Sequence, residues 1–212
     1  LYQNLEAQVA EKTQDLAAKN HELDTLYQTT SFLHQAHTSK DMAIGFLQQI
    51  VPVFQAAAAS IRLIDSQRGR MDLIAEQGLP EHLKTAEQCE RLAACFCGEA
   101  AQTSGNIPIL PLQTDANDPQ QTRLCARTGF RHLAVFHIEH KHQLLGILNL
   151  YFSQAPAIKP QDEALLHTLC TQLGVALTNI RLAQESQQLA VLQERNLMAQ
   201  GLHDSIAQTL TF

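Results

Sequence analysis

After Pro160 the chain contains no further proline, and its only glycines from there to Phe212 are Gly174 and Gly201. Apolar residues recur in a three–four rhythm at Leu166, Leu169, Leu173, Ala176, Ile180 and Ala183. An uninterrupted run of this kind predicts one helix of about 50 residues, roughly 75 Å long. Pro160 suits its first turn, where no amide donor is needed, and Asp162 and Glu163 complement the positive helix start. The rhythm weakens over ESQQ (185–188) and resumes at Leu189, Leu192 and Asn196. A small domain cannot bury so long a helix, so much of it is expected to pair with a second copy of the chain. ESQQ is the expected place for a slip in supercoil phase.

The N-terminal segment repeats the theme. Tyr2, Val9, Leu16, Leu23 and Thr30 form one position of a heptad seam, and Leu5, Lys12, Lys19, Leu26 and Leu33 form the other. This predicts a parallel dimeric coiled coil over residues 1–38. The two seam lysines weaken the coil and restrict its register and partners.

Composition narrows the rest. The 212 residues carry a net charge of −6 with no basic block, which argues against nucleic acid and anionic membrane as partners. No stretch has about 18 consecutive apolar residues, the length a bilayer span requires. The start, LYQNLEAQVAEK, lacks a signal-peptide pattern. The missing initiator Met and the end at Phe212 lead us to expect a piece of a longer protein. Five cysteines, an odd number, argue against a disulfide framework and for a reducing compartment.

Residues 39–158 read as a domain of mixed elements. Ser39 is the expected cap of a helix from Lys40 whose apolar side is Met42, Ile44, Phe46, Leu47, Ile50 and Val51, with Pro52 near its end. Ala58–Asp65, where Ile61 and Leu63 alternate with Arg62, and Met71–Gly78 read as a strand hairpin across the turn SQRGR. GLPEHLK leads into a short helix, and Gly98–Gln102 reads as another. Ile107–Leu112 is a Pro-interrupted strand suited to a sheet edge. A polar loop with a short helix closed by Gly129 follows, then two strong strands, Leu133–Ile138 and Leu144–Phe152. The expected fold is α+β, with helices packed on one central antiparallel sheet between two long coiled-coil helices.

Two clusters raise metal chemistry. Cys89, Cys95 and Cys97 lie close together in QCERLAACFCGEA, with Cys125 further on. Thiolates suit zinc or an iron–sulfur cluster, but the spacing is not the CxxC clip, and buried free cysteines are ordinary small hydrophobes. Structural thiols are the favoured reading, with a metal or redox cluster as the alternative; Cys170 is expected in the core. His137, His140 and His142 in FHIEHKH are read as part of an exposed hairpin connection rather than as ligands.

The last chemical feature lies near the C-terminus, in ERNLMAQGLHDSIAQTL. His203 stands beside Asp204, and Gln208 follows Asp204 by four residues, on the same helical face. Phosphoryl transfer to histidine needs a neutral imidazole nitrogen in line with a γ-phosphate. A neighbouring carboxylate can fix the tautomer, and a carboxamide one turn on can position water for hydrolysis.

Residues 40–155 resemble a GAF domain in the order and spacing of EQGLP, CGEAAQTSGNIPI, ARTGFRHLAVFHI and LLGILNLYF. The C-terminal box and LEAQVAEKTQDLAAKNHELDTL resemble sensor histidine kinases of the nitrate/nitrite sensor type. That resemblance implies His203 as phosphoacceptor, Asp204 as a kinase-assisting carboxylate and Gln208 as a phosphatase-assisting carboxamide. It implies a division into a signalling helix (1–38), a GAF-like sensor domain (39–158), a connecting helix (159–193) and the start of a dimerisation and phosphoacceptor domain (194–212). Gly201 departs from the longer or charged residue expected there. The implied partners are a second copy of the chain, a response regulator and the ATP-binding domain of the parent. No cofactor is expected in this segment; ATP and magnesium belong to the parent's kinase domain, so the segment should be inactive alone. The implied location is the cytoplasmic part of an inner-membrane protein, joined to the membrane only through upstream segments. The alternative reading is a small-molecule- or redox-binding GAF module with the helices as linkers.

Overall fold

The computed structural model describes residues 2–33, 38–85, 96–103, 105–112, 129–156 and 158–209, the side chains of 2–5, 7, 21, 96, 108 and 201–209 excepted. The chain forms two compact units, Leu1–Ala176 and Leu177–Phe212.

The first unit is built on a five-stranded antiparallel sheet. Its strands are β1 (Ala58–Asp65), β2 (Arg70–Gln77), β3 (Ile107–Pro111), β4 (His132–His140) and β5 (Gln143–Phe152), in the order β2-β1-β5-β4-β3. The Pro-interrupted strand β3 takes an edge, as its missing amide donors require. β5 is central, paired with β1 on one side and β4 on the other, and Gly146–Phe152 is buried throughout. Both faces of the sheet are therefore covered.

Alternation along the strands assigns the faces. Ala58, Met71, Leu133, Val135, Ile147 and Tyr151 form one core with Leu79, Leu83, Cys97, Ala100, Ala101 and Leu112. The helices on this side are α3 (Glu81–Lys84) and α4 (Phe96–Gln102). Ala59, Ile61, Ala134, Phe136, Ile138, Leu148 and Leu150 occupy the alternate positions and are equally buried.

The other helices of this unit are α1 (Tyr2–Leu33), α2 (Ser39–Val53) and the first part of α5 (Pro160–Thr209). α2 lies against β1 and β2 and buries Met42, Ala43, Phe46, Leu47 and Ile50. Its cap is Thr38, one residue before the expected Ser39. Thr38 is extended, and its hydroxyl accepts the Asp41 N–H at 3.0 Å while donating to the Asp41 carboxylate at 2.6 Å. α5 buries Leu165, Leu166, Leu169, Cys170 and Leu173.

The last part of α1 turns Thr25, Thr29 and Leu33 inward. Its seam residues Val9, Leu16 and Leu23 are exposed in the single chain. In the second unit, α5 exposes Leu182, Leu189, Leu192, Leu197 and Met198. Among the described residues no helix is long and apolar enough to cross a membrane.

Two glycines allow close approach. Gly45 leaves room for the Phe32 ring, which joins α1 to α2. A Cβ on Gly174 would collide with the carbonyl of Glu139, so α5 meets the β4 backbone with no side chain between them. Replacing Gly174 by Val gains some helix propensity but forces one of two rigid backbones to move. The expected net loss is about 2 kcal/mol or more, seen as a lower urea midpoint at unchanged m-value.

Candidate functional site

The face of the sheet beneath α3 and α4 carries polar side chains in register. The pairings align Arg62, Ile147 and His137 in one row across β1, β5 and β4, and Ser60, Asn149 and Val135 in the next. Ser60 and Asn149 are fully buried, and Arg62 is 3% exposed. The sequence pattern makes Arg62 the polar partner of an Ile61/Leu63 alternation, as though it faced solvent. The structure buries it instead, because α3 covers its face of the sheet.

Each polar group has a defined role. Asn149 Nδ2 donates to Ser60 Oγ at 3.1 Å. Arg62 Nη2 donates to the Leu83 carbonyl at 3.2 Å, which ties α3 to the sheet. His137 Nε2 lies 2.9 Å from the Ala100 carbonyl and, as the protonated nitrogen, ties α4 to the sheet in the same way. A bulge faces Arg62: Ile61 pairs with Ala75 but Arg62 pairs with Leu73, a local irregularity of the kind that re-aims side chains.

A second set of contacts leads from this face toward α5. Asn106 Oδ1 accepts the His137 backbone N–H at 2.8 Å, and its Nδ2 lies 3.2 Å from His167 Nδ1 on α5. Asn106 thus bridges β4 and α5, and β4 itself holds α4 through the His137 ring. At the rim of the face, Lys84 Nζ lies 3.0 Å from Glu76 and 3.3 Å from Glu81. Hydrogen bonding to Glu76, then to Glu81, raises the Lys84 pKa above its ordinary value.

The residues proposed from sequence fare differently. His203, Asp204 and Gln208 fall on the last turns of α5, but their side chains lie outside the described residues. Cys89, Cys95 and Cys125 also lie outside them. Cys97 and Cys170 are buried, and Cys97 Sγ sits 3.9 Å from the Tyr151 hydroxyl. His140 ends β4, and Lys141 and His142 make the turn with φ of 50° and 62°, so the two outer histidines do sit at a hairpin connection. His137 instead is a buried strand residue. No metal-ligating cluster occurs among the described residues. The sequence reading missed Ser60, Arg62 and Asn149. Their available signal was a lone polar residue inside a strand otherwise apolar enough to be buried on both faces.

Burial pushes the Cys170 thiol well above its ordinary value of 9.0. The native protein should therefore protect Cys170 from iodoacetamide, with rapid alkylation only after denaturation, read by peptide mass spectrometry. The raised folded-state pKa also fixes a sign. Stability from the neutral thiol is intact below about pH 9 and declines above it, as the unfolded chain ionises and the folded one does not. Replacing Cys170 by Ala should flatten that alkaline decline in pH-dependent urea melts.

A GAF domain family matches residues 36–178. The sensor histidine kinase YhcY of Bacillus subtilis (strain 168) is 28% identical over 193 residues, which cover 89% of this chain and 50% of that protein. The nitrate/nitrite sensor protein NarX of Escherichia coli (strain K12) is 27% identical over 211 residues, covering 99% of this chain and 30% of the relative. The chain thus spans half or less of the length of these relatives. Among solved structures, the GAF domain of an Acinetobacter phosphoenolpyruvate-protein phosphotransferase superposes with a TM-score of 0.63 at 19% identity, covering 77% of this chain and 96% of that one.

Proposed function

Because this chain belongs to the GAF domain family, we propose that it is the signal-transmitting section of a two-component sensor histidine kinase, with His203 as the phosphoacceptor. The observation that carries this reading is the similarity to NarX over 99% of the chain, which extends beyond the GAF domain into both flanking helices. The similarity to YhcY, itself a sensor histidine kinase, supports the same class. In this reading the His203 imidazole attacks the γ-phosphate of ATP held, with its magnesium, by the parent's catalytic domain, the bond to the bridging oxygen breaks and ADP leaves. Asp204 holds the second imidazole nitrogen and fixes the tautomer. The phosphoryl group then passes to a response regulator, and Gln208 orients water in the reverse, phosphatase task.

Signal passage follows from the elements. α5 begins at Pro160 in the GAF domain and runs to Thr209, so the helix that binds Asn106 through His167 is the helix that carries His203. A change at α4 reaches the His137 ring, the β4 backbone, Asn106 and α5 in turn. Nitrate or nitrite as the input, membrane attachment of the parent and a parallel homodimer belong to this proposal. The exposed seams, Val9, Leu16 and Leu23 on α1 and Leu182, Leu189 and Leu192 on α5, are the surfaces that a second copy would cover.

In the parent protein with its catalytic domain, radiolabelled ATP should give an acid-labile label that His203→Gln abolishes. Label persisting in that variant would sink the phosphoacceptor assignment. Asp204→Asn should slow labelling by roughly tenfold or more, in the range of lost acid–base assistance. Gln208→Ala should leave labelling intact and slow dephosphorylation of the regulator. The dimer has its own test: Leu16→Glu with Leu23→Glu should shift the chain toward monomer in sedimentation velocity.

A further inference from the structure

α1 grips the domain over only part of its length. Near its end, the Phe32 ring packs into the space left by Gly45 of α2, and Thr25, Thr29 and Leu33 turn inward. Ala18 and Glu22 continue that stripe, seven and three residues before Thr25. Against them lies a cleft of about 950 Å³. Its other walls are the end of α2 at residues 53–55, the end of β5 with the residues that follow, and the first turns of α5.

The cleft has complementary walls. Val53, Phe54, Phe152, Ile158 and Leu165 line the domain side, and Ala18 opposite them is small enough for the α1 backbone to come close. Each wall also carries one cation and one anion. α1 brings Lys19 and Glu22, and the start of α5 brings Lys159 and Asp162. Among the described residues none of these side chains is held in an ion pair. Asp162 Oδ2 accepts the Lys159 N–H at 2.9 Å, which orients the carboxylate and leaves it further lone pairs for a cation. Lys19, the seam lysine that weakens the coil, thereby has a use on the domain side. Between the Phe32 contact and the cleft, α1 is seated by two small polar residues, Thr25 and Thr29, and Thr29 Oγ1 is buried without a hydrogen-bond partner. So shallow and incompletely satisfied a seat resists tilting less than interdigitated apolar side chains do.

We propose that α1 tilts about its Phe32–Gly45 contact and closes this cleft as a latch, its Lys19 and Glu22 set against Asp162 and Lys159 at the start of α5. Closure removes the apolar wall from water and brings the opposite charges together. It is weak by construction, because exposed ion pairs contribute little and are screened by salt. A weak latch is one that a small force on α1 can open or shut. A second copy paired along Leu16 and Leu23 would cover a different face of α1, so the latch and the coiled coil are compatible. Closure ties the incoming helix directly to the first turn of the helix that carries His203, without passing through the sheet. Only that last consequence rests on the phosphoacceptor reading; the test of the latch needs neither ATP nor His203.

The chain has no tryptophan, so Phe54→Trp places a single fluorescent reporter in the cleft wall. Acrylamide quenching then reads its exposure in two double variants that share Lys159→Glu. Lys159→Glu with Glu22→Lys makes the α1 wall wholly cationic and the α5 wall wholly anionic, and should shield the reporter more than the parent does. Lys159→Glu with Lys19→Glu makes both walls anionic and should leave the reporter exposed. The open-to-closed ratio should differ between the two by roughly tenfold in dilute buffer, as the sum of a few exposed pairs. The difference should shrink in about 0.5 M sodium chloride, where the Debye length is roughly 4 Å. Peptide-level hydrogen exchange over residues 16–24, with Phe54 retained, gives the same comparison if the reporter disturbs folding. Equal quenching and exchange in both variants, the opposite order, or a difference that salt leaves unchanged would overturn the latch. So would shielding that grows with protein concentration, which would assign the cleft to a second copy.

Discussion

Strand β5 sets the terms for the rest of the domain. It is hydrogen-bonded on both edges and buried on both faces from Gly146 to Phe152. A strand in that position leaves no side for water, so every residue must find an apolar neighbour or a hydrogen-bond partner inside the protein. The two cores, the short helices α3 and α4, and the packed parts of α2 and α5 are the coverage this requires. Gly146 shows how tight the centre is: a Cβ there would meet the carbonyl of Arg62 on β1.

The two faces of the sheet use different chemistry. The face bearing Ala59, Ile61, Phe136 and Leu150 is held by apolar burial, which is non-directional and tolerates volume-conserving change. The face beneath α3 and α4 adds directional contacts. Arg62 holds the Leu83 carbonyl, and His137 reaches that of Ala100. Short helices of 4 and 7 residues have little intrinsic stability. Their attachment to the sheet through polar contacts makes them the part of the domain most sensitive to what lies on the sheet below them. Asn106 then joins the same strand, β4, to α5, so the responsive face and the outgoing helix share one rigid element.

Much of this was readable from residue order. The strands β1, β2, β4 and β5 announced themselves by apolar runs, and the prolines of IPILP marked β3 as an edge. The long helix after Pro160 followed from the absence of breakers. The cap of α2 fell one residue from its expected place because adjacent Thr38 and Ser39 are both competent caps, and only backbone dihedrals choose between them. The polar row was illegible for a different reason. Alternation reports one buried face against one wet face; in a sheet covered on both sides, the polar position in AASIRLID carries no such meaning. The seam of α1 was legible as a pattern, yet the pattern did not say that Thr25 and Thr29 would turn inward as a second stripe that meets the seam at Leu33.

That second stripe has a geometric consequence. Leu23 and Thr25 differ by two positions, about 200° around the helix, so the exposed seam position that holds Leu23 and the inward-facing Thr25 sit on nearly opposite sides of α1. The helix works as a phased coupling, with one side indexed to the domain and the other to whatever lies alongside it. Splicing a foreign heptad helix onto this domain would therefore preserve the coupling only when the junction upstream of Thr25 keeps the count in whole heptads. Any other offset would present the incoming seam at the wrong angle, even with every contact inside the domain unchanged.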